Sequence, residues 1–217
     1  MMRLGLTGLA LTALLFALPA TGRAQGDMEW GVKGGLNISG LRGSNTGLRG
    51  STRLFDTKRG IAAGVFGVFD FTPEFGVEVD ALFSMKGGKL SGPGVDPSGN
   101  PIILTEGFFI LDYLEFPILA RLNLPVQGDL TPHLYAGPTI ALKVSGRVRY
   151  SQLPGADLDA ARTLDSGLAL GASVDLALGA RTIVLDARFG LGLTNAFRWS
   201  GPDLKNDTFS LMGGLSF

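Results

Sequence analysis

The sequence predicts an all-β chain: an eight-stranded antiparallel up-and-down transmembrane β-barrel with short periplasmic turns and four longer extracellular loops. Three observations predict it. Apolar residues recur at every second position through most of the chain beyond residue 28, as they do where successive side chains point to opposite faces of a strand. The connections between these runs are alternately tight and long, which is the pattern of outer-membrane barrels. The composition is hydrophobic (45%, mean hydropathy +0.28) yet contains 33 Gly, 18% charged residues and no net charge. That glycine share is about twice the ordinary ~7% and has no G-x-y period, so collagen is excluded; the apolar content excludes a disordered chain.

The chain opens with Met1-Met2-Arg3, an apolar stretch over residues 4–20, and Thr21-Gly22-Arg23-Ala24. A basic start, an apolar middle and small residues before a cleavage point describe a secretory signal peptide, so residues 1–24 are read as the signal and 25–217 as one barrel domain. A transmembrane anchor is the weaker reading, because the stretch is short for a bilayer and carries Pro19. No later run is long enough for a membrane helix.

Eight alternating runs follow. The first sets Trp30, Val32, Leu36 and Ile38 against Glu29, Lys33, Asn37 and Ser39, and the second Ile61, Val65, Phe69 and Phe71 against Gly60, Gly64 and Asp70. The third is the most regular, with Phe75, Val77, Val79, Ala81, Phe83 and Met85 opposing Glu78, Asp80, Ser84 and Lys86. In the fourth, Leu114, Phe116, Ile118, Ala120 and Leu122 oppose Glu115 and Arg121; in the fifth, Leu134, Ile140, Leu142 and Val144 oppose Tyr135, Thr139, Lys143 and Arg147. The last three are carried by Leu168 to Leu176, Leu185 to Leu193, and Phe209 to Phe217. Tight connections fall at 72–74, 125–131 and 178–181, and long ones at about 40–58, 88–106, 148–165 and 195–207.

Alternation alone does not say which face meets lipid. The polar face combines Asp70, Glu78, Asp80, Glu115, Asp175 and Asp186 with Lys33, Lys86, Arg121, Lys143, Arg147 and Arg188, and intersperses them with glycine. A solvated exterior, as in a soluble sandwich or lipocalin-like barrel, gives no reason for so many small residues. The lumen of an eight-stranded barrel does, because it has room only for side chains. The charges are therefore expected inside as ion pairs, with Gly31, Gly35, Gly60, Gly64, Gly76, Gly137 and Gly171 on the same face. Trp30, Phe71, Phe75, Phe108, Phe109, Tyr113 and Phe217 fit interfacial aromatic girdles.

Gly31-Val-Lys-Gly-Gly-Leu-Asn-Ile-Ser39, Tyr113-Leu-Glu-Phe-Pro-Ile-Leu-Ala-Arg121, Tyr135-Ala-Gly-Pro-Thr-Ile-Ala-Leu142 and a final strand ending at Phe217 resemble the PorT-like bacterial outer-membrane β-barrel family. The resemblance covers essentially the whole chain after the signal. It implies an eight-stranded barrel in the cell outer membrane, with no catalytic residues to carry over; some relatives act in protein secretion. The C-terminal Phe also resembles the signal by which such barrels are recognised by the assembly machinery.

Chemistry-bearing motifs are sparse. Without Cys there is no disulfide, thiolate metal site or Cys nucleophile, and neutrality argues against nucleic-acid binding. His133, the single histidine, is read as a rim residue beside Pro132; an enzyme would need a Ser near it, which only a neighbouring strand could supply. No G-x-S-x-G elbow or P-loop is present, and Gly190-Leu-Gly192 lacks the third glycine of a dinucleotide motif. Glu78 and Asp80 are expected to pair with Lys86, and Asp157 and Asp159 to be solvated. Asn37-Ile-Ser39 and Asn206-Asp-Thr208 match the N-glycosylation pattern by chance. Arg42, Arg49, Arg53, Lys58 and Arg59 form a basic first loop that could meet lipopolysaccharide phosphates. The sequence thus predicts no catalytic, cofactor or metal site. It describes a non-enzymatic outer-membrane barrel, structural, surface-binding or porin-like, whose partners are outer-membrane lipids, lipopolysaccharide and an unnamed protein. A lipid-modifying barrel enzyme or a secretion component is the alternative.

Overall fold

The structure, a computed structural model, describes residues 28–44, 57–95, 101–124, 126, 128–150, 156–179, 181–198 and 203–217. The expected signal segment, Arg49 and Arg53 lie outside the described residues. The strands are β1 (Met28–Ser44), β2 (Lys58–Asp70), β3 (Phe75–Val95), β4 (Pro101–Asn123), β5 (Leu130–Tyr150), the two-residue β6 (Ala156–Asp157), β7 (Leu164–Leu178), β8 (Arg181–Gly192) and β9 (Asp203–Ser216). Every pairing is antiparallel, in the order β4-β3-β2-β1-β9-β8-β7-β5, and β4 pairs with β5 to close a ring of eight. β6 lies beside β5 outside that ring, through Arg147↔Asp157 and Val148↔Ala156. The predicted fold class is therefore the observed one.

The tight turns lie together at one end, hereafter the turn end. In the first, the Thr72 hydroxyl accepts the backbone N–H groups of Glu74 and Phe75 at 3.3 and 3.1 Å, so the side chain replaces part of the missing ladder. In the β7–β8 turn, Gly179 adopts φ +66°, the left-handed conformation that a two-residue hairpin requires. The opposite, loop end differs from expectation. The predicted 88–106 loop is largely strand, since β3 and β4 continue as one hairpin to Val95 and Pro101. Beyond a bilayer's thickness a strand needs no apolar alternation, so this Gly- and Pro-containing extension carries no period-two signal.

The wall is inverted relative to a water-soluble barrel. Trp30, Leu36, Val65, Ile118, Ile140, Leu170, Leu185 and Leu211 point outward and are each 48–65% exposed, whereas Lys33, Glu78, Asp80, Arg121, Asp186 and Arg188 point inward and are no more than 5% exposed. Among the described residues, outward-facing strand positions between the two ends are uncharged until Asp112 and Asp207, near the loop end. Trp30, Phe71, Phe75 and Phe217 form an exposed aromatic set at the turn end, with Phe69 and Phe71 in edge contact at 4.9 Å. Phe109 and Tyr113 are not girdle residues: both point inward, at 7% and 0% exposure.

Arg147 also departs from expectation. Asp112 pairs with Ser145 but Tyr113 pairs with Lys143, so Val144 is an extra residue in β5. Such a bulge reverses the faces of all later residues in its strand. Val148 consequently turns inward and Arg147 outward.

The ring is narrow because small residues let strands close up. A Cβ on Gly64 would collide with the Ala81 carbonyl oxygen, and one on Gly35 with that of Leu211. Gly64→Val is therefore expected to cost about 1–3 kcal/mol. Gly213→Ala, where a Cβ would meet nothing within 4 Å, should stay within about 0.5 kcal/mol. Urea midpoints of the detergent-folded protein would check both.

Candidate functional site

The charged interior is built by residues that alternate with the lipid face. Lys33 on β1 lies 2.6 Å from Glu78, 3.0 Å from Asp80 and 3.3 Å from Asp186. Arg188 on β8 reaches Asp80 at 2.6 Å, Glu78 at 3.1 Å and Asp186 at 3.0 Å. β3 and β8 stand on opposite sides of the ring, so the Arg188–Asp80 pair spans its diameter. Tyr135 donates its hydroxyl proton to Asp186 at 2.6 Å while its ring stacks under the Arg188 guanidinium at 5.0 Å. Below, toward the turn end, Arg121 pairs with Asp175 at 2.5 Å. The cluster thus ties together β1, β3, β4, β5, β7 and β8. Glu78 and Asp80 are paired as expected, but with Lys33 and Arg188; Lys86 pairs instead with Glu115 at 2.9 Å.

His133 is not a surface rim residue. It is 4% exposed inside the turn end, with Nδ1 2.9 Å from Asn123 Oδ1 and Nε2 3.1 Å from Asp175 Oδ2. The neighbouring strand does bring a serine alongside, since His133 pairs in register with Ser173. With both ring nitrogens facing Asn123 and Asp175, neither is turned to the Ser173 hydroxyl, and all four side chains face the lumen rather than lipid. A nucleophile–base pair for lipid hydrolysis is not assembled.

Toward the loop end the interior changes character. A small polar gap is lined by Lys86, Glu115, Thr139, Asp165 and Asn206 among others. Asp165 accepts hydrogen bonds from Thr194 at 2.5 Å and from the Asn206 amide at 2.8 Å. Above it, Leu41, Phe109, Leu111, Tyr113, Val148, Phe197 and Leu204 form an apolar plug, and Leu158 and Ala161 fold in from the β5–β7 connection. Ala161 forms a bridge with Phe197, so two segments read from sequence as polar loops contribute apolar side chains to the mouth.

The two glycosylation-like asparagines, Asn37 and Asn206, are buried within the barrel. Of the basic first loop, Arg42 pairs with Asp207 at 3.3 Å and Arg59 is exposed. Lys58 is not a loop cation: it points into the lumen and donates to the Lys86 carbonyl at 3.4 Å. Lys58 and Asp165 are interior charges that the alternation reading did not include; both share the inward parity of their strands, which was the available signal.

The family described as outer membrane protein beta-barrel domain matches residues 23–198. The chain belongs to that family. It is accordingly an outer-membrane β-barrel protein. No curated protein matches it. Among solved structures it is similar to Ail, the attachment invasion locus protein of Yersinia pestis, in complex with the heparin analogue sucrose octasulfate (14% identity, 88% of this chain and 99% of that one, TM-score 0.42). It is also similar to Neisserial surface protein A (12%, 88% and 97%, TM-score 0.47) and to OprG from Pseudomonas aeruginosa (10%, 87% and 95%, TM-score 0.47).

For this outer-membrane barrel, removing one member of the central cluster leaves buried carboxylates without a partner. Arg188→Met is expected to cost about 3–5 kcal/mol. Arg147→Met, whose 54% exposed side chain sits 3.6 Å from Asp112, should cost no more than about 1 kcal/mol. Urea unfolding followed by tryptophan fluorescence would separate the two.

Proposed function

We propose that this outer-membrane barrel is non-enzymatic and non-conducting, and that it acts through its loop end as a surface-binding or structural protein. The observation that carries this reading is the doubly filled lumen. The charge cluster of Lys33, Glu78, Asp80, Asp186 and Arg188 occupies the middle, and the apolar plug around Phe109 and Phe197 occupies the mouth. Neither leaves an aqueous path for a solute.

Short turns face the periplasm and long loops the exterior in barrels of this architecture, so the loop end is read as extracellular. The motifs around Lys33, Arg121 and Tyr135 support a PorT-like subgroup within the family, and residues 1–24 are read as the export signal. Phe217, 61% exposed at the end of the last strand, suits recognition by the barrel assembly machinery. The enzyme alternative is disfavoured by the geometry of His133, and no observation favours a secretion role.

Two measurements test the proposal. The protein should fractionate with outer membranes and migrate differently on gels before and after boiling. In planar bilayers it should give no steady current beyond brief small openings. A stable, large single-channel conductance would overturn the closed-lumen reading.

A further inference from the structure

His133 has contacts that a neutral imidazole cannot satisfy together. The Asn123 amide nitrogen donates to Asp70 Oδ1 at 3.0 Å and to the Pro73 carbonyl at 3.2 Å, and both of these groups only accept. The amide nitrogen is therefore fixed on that side, and the atom 2.9 Å from His133 Nδ1 is the amide oxygen. Across the ring, Nε2 lies 3.1 Å from Asp175 Oδ2, an oxygen that also receives the Arg121 guanidinium at 2.5 Å. Acceptors thus flank the ring on both sides, and only the imidazolium carries a donor on each nitrogen.

The surrounding charges count the same way. Among the described residues, Lys33, Arg121 and Arg188 contact Glu78, Asp80, Asp175 and Asp186, three cations against four carboxylates. A proton on His133 supplies the fourth cation. Facing the ring are Arg121 and Asn123 from β4 and Ser173 and Asp175 from β7. Asp70 on β2 is reached through Asn123, Glu78 on β3 through Arg121, and Asp186 on β8 pairs in register with Ser173. Glu74, Asp129 and Arg181 are exposed at the turns.

Histidine exchanges its proton with solvent between about pH 5 and 8. The neutral ring keeps a single N–H. Hydrogen bonds to a carboxylate are the stronger, so that proton stays on Nε2 and Nδ1 presents a lone pair to Asn123 Oδ1. Rotating the amide relieves this contact and takes its nitrogen off Asp70 and Pro73. The turn between β2 and β3 is then left with the Asn123 N–H to Glu74 carbonyl bond at 2.7 Å and its own Thr72 hydroxyl.

We propose that His133 is a proton-operated clasp at the turn end. Charged, it ties β7, through Asp175, to the β2–β3 turn, through Asn123; neutral, it releases the turn. The clasp works alike on either side of the membrane and stands apart from the closed lumen.

The test is nuclear magnetic resonance of the full detergent-folded protein between about pH 5 and 8, with the single histidine labelled at both ring nitrogens. At the acid end both nitrogens should carry protons, and at the alkaline end Nε2 alone. Over the same range the hydrogen-exchange protection of the Phe71 and Thr72 amides, corrected for intrinsic rates, should fall about tenfold, the effect of losing one hydrogen bond of this kind. In His133→Gln that protection should not vary with pH. In Asn123→Ala the ring should still titrate while the turn no longer responds. A ring that keeps one charge state throughout, turn protection indifferent to the ring proton in the wild type, or a pH response that survives in His133→Gln would each overturn the proposal. The wild-type spectra decide it even where a variant fails to show heat-modifiable migration.

Discussion

Ring closure is the constraint on which the rest of this molecule depends. In hydrocarbon no water is available to backbone N–H and C=O groups, so every strand needs a partner on both sides. The β4–β5 pairing supplies the last of them, from Gly107↔Tyr150 near the loop end to Asn123↔His133 near the turns. Closure with only eight strands fixes a small bore, and the small bore dictates what lies inside. Glycines such as Gly35 and Gly64 admit neighbouring backbone where a Cβ would collide, and the remaining space is taken by long side chains from all around the ring.

Why those side chains are charged follows from the exterior. With apolar residues committed to lipid, alternation leaves the polar residues no place but the lumen. Burying ions is costly unless each is surrounded by opposite charge and hydrogen-bond partners. The cluster meets that condition by sharing: Lys33 and Arg188 each contact the same three carboxylates, and Tyr135 adds a donor to Asp186. An interaction spanning the diameter braces opposite walls in a way that pairs along one sheet could not. The apolar plug at the mouth rests on the same geometry, since Phe109, Leu111 and Tyr113 continue the inward parity of Glu115 and Arg121 on β4.

The wall was legible in the sequence because a two-residue period needs no knowledge of partners. Lys33, Glu78, Asp80, Arg121, Asp186 and Arg188 could be placed inside by parity alone. Which charge meets which could not, because partners such as Asp80 and Arg188 lie 108 residues apart in the chain and meet only across the bore. Proximity to a loop suggests a girdle position for Phe109 and Tyr113, whereas their parity with Glu115 points inward. The proline neighbour of His133 suggests the rim, whereas its parity with Tyr135 points into the lumen. The segments around Leu158 and Phe197 carried no period at all, so their return into the mouth depends on tertiary contacts that local sequence does not encode.

Arg147 shows where parity itself fails. Nothing in Lys143-Val-Ser-Gly-Arg147 announces an extra residue, since a bulge is defined by the partner strand: it exists because Asp112 and Tyr113 take Ser145 and Lys143 as partners. One unpaired residue then decides whether two arginines enter an already filled lumen or leave it. Inside, they would add positive charge to a mouth whose described lining, with Phe109, Leu111 and Phe197, is apolar. Outside, they stand at the level where apolar wall gives way to polar surroundings. The bulge thus reconciles an apolar plug with a basic rim on the same strand, and a regular β5 could provide only one of the two.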